Sequence, residues 1–188
     1  MNPAYELFHK QAESNKQLYT LLRFASKCNN VTAFTMDSLE PISAFLSAQC
    51  ETIRLYTVGN SSNINAKVLD NCKDIASNLK INFKIDQMNE KIESTDLLYI
   101  NTPAEGNYRA TELMKFASKV SKYIILPDTV AYAHKPNDKI KLADGISPIG
   151  VVFGINHFIQ HNDNWFILEH DEISPGMTVL VNKDNVSC

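Results

Sequence analysis

Glycine is scarce in this chain: six among 188 residues, the first of them Gly59. Every earlier turn is therefore made by residues that carry a β-carbon. That excludes the usual glycine-rich strand-to-helix turn, which lets a backbone close tightly on a nucleotide-type ligand. Long apolar runs are also missing. Residues 123–127 (YIILP) and 149–153 (IGVVF) are among the longest, far below the ~20 residues that a membrane-crossing helix needs. The opening MNPAYELFHK lacks the apolar core of a secretory signal. No run of Lys or Arg exceeds two residues and the net charge is −3, which argues against a nucleic-acid groove. Cys28, Cys50, Cys72 and Cys188 form no CxxC pair and read as free thiols of a cytoplasmic protein. The 22-residue spacing of the first three comes with no repeat in the flanking residues.

What is present is an ordinary globular composition, 44% hydrophobic and 21% charged, in one expected domain of 1–188. A helical segment over 4–27, broken near Ser14, precedes a core expected over 29–182. Strands are expected at 31–35, 52–58, 81–85, 95–100 and 122–127, with helices between them. The helix over 63–79 places Ile64, Val68, Cys72, Ile75 and Leu79 on one stripe. The helix over 105–119 places Ala110, Leu113, Met114 and Ala117 inward. Residues 130–148 read as a long polar loop, 149–161 as a helix, and 165–170 with 177–182 as a terminal hairpin.

Strands alternating with helices specify an α/β domain with a mostly parallel sheet, here in expected order 3-2-1-4-5, with 177–182 inserted antiparallel beside the fifth strand. Ligands in such sheets bind beyond the carboxyl ends of the strands. The positions of interest are therefore 35–38, 57–60, 101–105 and 127–131.

Those junctions carry a resemblance. With LLRFASKCNNVT (21–32), STDLLYINT (94–102), ELMKFASKVSKYIILPDT (112–129) and PGMTVLV (175–181), the chain resembles class I S-adenosylmethionine-dependent methyltransferases over roughly 15–182. Within them it is most similar to the small bacterial and viral group related to cephalosporin-hydroxylase-type and sugar O-methyltransferases. The resemblance implies a Rossmann-like methyltransferase fold with a seven-stranded sheet. It also implies where the functional groups should fall, and most have been replaced. The first-strand acid falls on Ala33, the turn glycines on Thr35 and Leu39, and the ribose-binding acid on Thr57. The Asp of an Ile-Asp-Thr segment falls on Asn101, the following His on Ala104, and the His of a His-Asp-Thr segment on Pro127. Asp128 and Thr129 stand as in the family pattern.

Each replacement has a cost. Losing a carboxylate that accepts both ribose hydroxyls costs about 1.5–3 kcal/mol of binding. A residue with a β-carbon in place of turn glycine narrows the pocket and resists positive φ. Asn101 cannot take a proton and is a poorer Mg²⁺ ligand than a carboxylate. The cofactor-side candidates are Thr35, Met36, Asp37, Thr57 and Asn101, the catalytic-side candidates Asp128 and Asn101, and no metal ligand set stands out. S-adenosylmethionine is expected to bind weakly or not at all. The implied function is a non-catalytic or impaired binding or assembly module in a glycan-modification setting. Its expected partners are a small molecule or saccharide, a second copy or another protein, with no nucleic acid and no membrane. Two alternatives stand beside it: an active O-methyltransferase acting on a sugar or other hydroxylated small molecule, and an oligomeric structural protein of viral type.

Several residues have plainer readings. Asp128 reads as capping its turn with Thr129, and Asp37 as part of a capping box with Ser38 and Pro41. His157 and His161 read as a solvated pair, His134 as a surface-loop residue, Tyr108 as ordinary packing, and Trp165 as closing a core.

Overall fold

The computed structural model describes residues 2–36, 38–58, 65–88, 91–134 and 149–185. Asp37, most of the expected 130–148 loop, and the first residues of the expected 63–79 helix lie outside them. The strands form one seven-stranded sheet in the order β3-β2-β1-β4-β5-β7-β6, the order expected from the sequence. By internal contacts the chain divides into two compact units, residues 1–90 with 95–100, and residues 91–94 with 101–188.

In the first unit the N-terminal helices are α1 (Pro3–Ala12) and α2 (Gln17–Ala25). Asn2 caps α1, its side chain accepting from the Ala4 amide at 3.0 Å, with Pro3 in the first turn. Ala4, Phe8 and Ala12 are its buried stripe. β1 (Asn30–Thr35) and β2 (Thr52–Thr57) pair in parallel from Asn30 opposite Thr52 to Thr35 opposite Thr57. Both are buried at every position after the first, as a strand covered on both faces must be. β3 (Asn82–Gln87) pairs in parallel with β2 and is mostly exposed, being a sheet edge; it starts one residue later and runs further than expected. β4 spans Thr95–Asn101. Helices α3 (Glu40–Ser47) and α4 (Ala66–Asn78) complete the unit, α4 burying Cys72, Ile75 and Ala76.

The second unit holds α5 (Gly106–Phe116), β5 (Val120–Pro127), α6 (Val151–Gln160), β6 (Trp165–Asp171) and β7 (Met177–Asn182). β7 lies antiparallel between β5 and β6, and the β6 ladder shifts register between Ile167 and Glu169. Helices α5 and α6 meet through glycine: a β-carbon on Gly154 would collide with the Gly106 carbonyl, and one on Gly106 with the Gly150 carbonyl. The expected 105–119 helix ends at Phe116 and tightens into a 3-10 turn over Ala117–Lys119. Met114 is not inward as expected but 48% exposed. The buried stripe is Ala110, Leu113, Phe116 and Ala117, and Met114 falls one step of about 100° away from it. Trp165 is buried, its ring centroid 6.2 Å from that of Phe158.

Candidate functional site

In the first unit, the turn after β1 is held by its own side chains. Thr35 is 1% exposed. Its hydroxyl donates to the Ser38 carbonyl at 2.7 Å and accepts from the Ser38 amide at 3.2 Å. Ser38 Oγ in turn accepts from the Glu40 amide at 3.3 Å, opening α3. Leu39 is buried with φ −100°, and neither it nor Thr35 has positive φ. Neither residue takes the positive φ that a β-carbon resists, and the Thr35 hydroxyl closes back on Ser38. Met36 is 41% exposed. Thr57 ends β2, is buried, and its carbonyl accepts from the Met88 amide at 3.0 Å. Ala33 is buried inside β1.

In the second unit, Asn101 is half-buried at the end of β4. Glu105 caps α5, accepting from the Tyr108 amide at 2.7 Å. One turn along lies a buried polar cluster that sequence reasoning missed. Arg109 Nη1 donates to Glu112 Oε2 at 3.0 Å and to Thr102 Oγ1 at 3.1 Å, and Nη2 donates to the Thr102 carbonyl at 3.4 Å. Thr102 Oγ1 donates to the same Glu112 oxygen at 2.7 Å. Arg109 and Glu112 are 2% and 4% exposed. Glu105 Oε1 and Glu112 Oε1 are buried without a hydrogen-bond partner among the described residues. Burial pushes the Glu112 carboxyl up, against the pull of Arg109 and the Thr102 hydrogen bond. Burial likewise raises the half-exposed Tyr108 phenol, Glu112 adding to the rise and Arg109 opposing it.

Asp128, directly after β5, sits in the left-handed region at φ +61°, a conformation that costs most side chains energy and that Asp tolerates better than most. Its turn docks on the hairpin tip. The Thr129 amide donates to the Gly176 carbonyl at 3.3 Å, and the Val130 and Ala131 amides both donate to the Pro175 carbonyl at 3.0 Å. Gly176 has φ +79°, and a β-carbon there would run into Val130. The expected cap by the Asp128 carboxylate is not made: it has no hydrogen bond among the described residues, and the turn is held by backbone. Burial pushes the Asp128 carboxyl up, with Arg109 opposing. Thr129 and Thr178 are buried side by side, Thr178 Oγ1 donating to Thr129 Oγ1 at 3.0 Å, with His170 Nδ1 2.8 Å from Thr178.

The remaining candidates are placed simply. Tyr108 is 40% exposed instead of packed, and His134 is exposed. Cys28, Cys50 and Cys72 are free and buried; burial lifts the Cys50 thiol to about 12 and the Cys72 thiol to about 11, leaving both inert at neutral pH. Among the described residues no group of three or more ligating side chains stands ready for a metal, and no helix is long and apolar enough to cross a membrane.

No family model and no curated protein matches the sequence. Solved structures do match the fold. An O-methyltransferase from Bacillus cereus, in complex with S-adenosylhomocysteine, is 15% identical with a TM-score of 0.59, covering 97% of this chain and 91% of that one. The O-methyltransferase TomG from Streptomyces achromogenes, involved in tomaymycin synthesis and in complex with S-adenosylmethionine, is 11% identical with a TM-score of 0.55, covering 94% and 89%. A methyltransferase from Geobacter sulfurreducens is 10% identical with a TM-score of 0.56, covering 97% and 89%. Identities this low speak for the fold alone, and the fold of this chain is the Rossmann-like fold of the S-adenosylmethionine-dependent methyltransferases.

Proposed function

We propose that this chain is a methyltransferase-fold protein that has given up the S-adenosylmethionine contacts of the fold and acts as a non-catalytic binding or assembly module. The observation that carries the reading is Thr35. Its buried hydroxyl spends both its donor and an acceptor position on Ser38, so the first turn offers a ligand neither a glycine approach nor that hydroxyl. At the end of β2, buried Thr57 supplies no carboxylate for a ribose. These residues do not fit the cofactor. The setting in this reading is glycan modification, with a saccharide, a second copy or another protein as partner. The test is calorimetric titration of the full chain with S-adenosylmethionine and S-adenosylhomocysteine. The expected result is no saturable heat, and micromolar binding of either would refute the proposal.

A second reading has its own observation in Asp128. A desolvated carboxylate held at positive φ, with no hydrogen bond to cap its turn, has the character of a working group. It favours an active O-methyltransferase acting on a small hydroxylated molecule with Asp128 as general base. Methyl transfer to a hydroxyl acceptor that disappears in Asp128→Asn would establish this second reading over the first.

A further inference from the structure

We propose that His157 and His161, on the last turns of α6, form a bidentate site for a divalent late first-row transition ion such as Zn²⁺ or Ni²⁺. The two residues are four apart, which puts both rings on one face of the helix. Their ring centroids are 4.3 Å apart. Two imidazoles sharing one ion would sit about 4.5 Å apart at a bond angle near 90° and about 5.2 Å apart at the tetrahedral angle of Zn²⁺, given metal–nitrogen bonds of about 2.0–2.1 Å. The ring centroids are therefore within about 1 Å of the separation an ion would set.

The state of the His161 ring follows from its hydrogen bond. Nδ1 lies 2.7 Å from the His157 carbonyl, and a carbonyl only accepts, so Nδ1 carries the proton. In the neutral ring the lone pair is then on Nε2. A ring N–H given to a backbone carbonyl is the outer-shell arrangement that fixes the tautomer and orientation of metal-ligating histidines. His157 is steadied from its other side by Phe153, whose ring is stacked on it at 6.0 Å and 12°. The site thus has one ring fixed by a hydrogen bond and one by an aromatic neighbour. His161 is exposed and His157 half-buried, so an ion can reach them from solvent. Imidazole nitrogen suits Zn²⁺, Ni²⁺ and Cu²⁺ over Mg²⁺ or Ca²⁺. Among the described residues no group of three ligating side chains forms, so water completes the coordination.

The experiment is calorimetric titration of the untagged full chain with NiCl₂ and with ZnCl₂, repeated on His157→Ala, His161→Ala and, as a control, His134→Ala. The expected result is saturable binding that weakens at least tenfold in each of the first two variants and is unchanged in the control. Circular dichroism confirms that the variants are folded. In parallel, NiCl₂ should raise the thermal midpoint of the wild type and of His134→Ala but of neither α6 variant, because the ion clips one helical turn to the next. Absence of binding by the wild type, or binding undiminished when either α6 histidine is replaced, overturns the proposal.

Discussion

The turn after β1 and the turn after β5 both lie where this fold presents its ligands, yet they are built on opposite principles. In the first, neither Thr35 nor Leu39 has positive φ, and the buried Thr35 hydroxyl is satisfied by Ser38. The second, at Asp128, holds a non-glycine residue at positive φ with a carboxyl that burial disfavours as an ion. Of the two, the Asp128 turn is the one whose geometry costs conformational energy.

The largest test of that contrast is Arg109→Met. It strands Glu112, which is 4% exposed, as an uncompensated buried charge. The expected cost is about 3–5 kcal/mol in urea-induced unfolding, and the double variant Arg109→Met with Glu112→Leu should recover most of it. Full cost in the double variant would mean that Arg109 acts by packing alone.

Next in size is the backbone term at Asp128. Asp128→Ala should lose about 1–2 kcal/mol because alanine resists the left-handed region, while Asp128→Gly should not. Equal losses in both would place the cost in the carboxylate instead of the backbone. At the first turn, Thr35→Val should cost about 1 kcal/mol by stripping the Ser38 amide and carbonyl of their partner. No loss there would show that the turn does not depend on the hydroxyl.

The smallest expected effect is pH-dependent. A carboxyl whose folded pKa lies above its unfolded one holds more protons folded than unfolded between those two values, so stability falls as pH rises through that window. For Asp128 the burial cost is absent below its ordinary 3.8 and fully present above the raised value. Asp128→Asn should therefore be more stable than the wild type at pH 7, the difference closing towards pH 3. A difference that stays constant with pH would contradict the raised carboxyl.

The sheet was legible because central strands carry short apolar runs, such as LLYI in β4 and YIIL in β5, that have few other ways to be buried. β3 was placed less well, since an edge strand with Lys84 and Asp86 carries a weaker signal. That Thr35 and Leu39 are not glycines was legible, but the hydrogen bonding around them was not. The residue that restricts the backbone also supplies the hydroxyl that closes the turn onto Ser38. Arg109 and Glu112 were missed because charges on a helix read as solvent-facing. The signal was there in their i, i+3 spacing on the side of Leu113 and Phe116, a charged pair inside an apolar stripe. The glycine contact between α5 and α6 could not be read, because Gly106 and Gly154 lie far apart in sequence.

The register shift in β6 bears on how this protein behaves when concentrated. β6 is an end strand of the sheet, with Ile167 and Leu168 43% and 46% exposed. A flat apolar strand in that place is a template on which further chains can add and grow into fibres. The irregularity between Ile167 and Glu169 breaks the run of evenly spaced amides at the stickiest point, and Glu169 and Asp171 follow it. An incoming strand thus finds only short stretches to pair with on either side of the break, which makes β6 a poor seed for growth despite its exposed side chains.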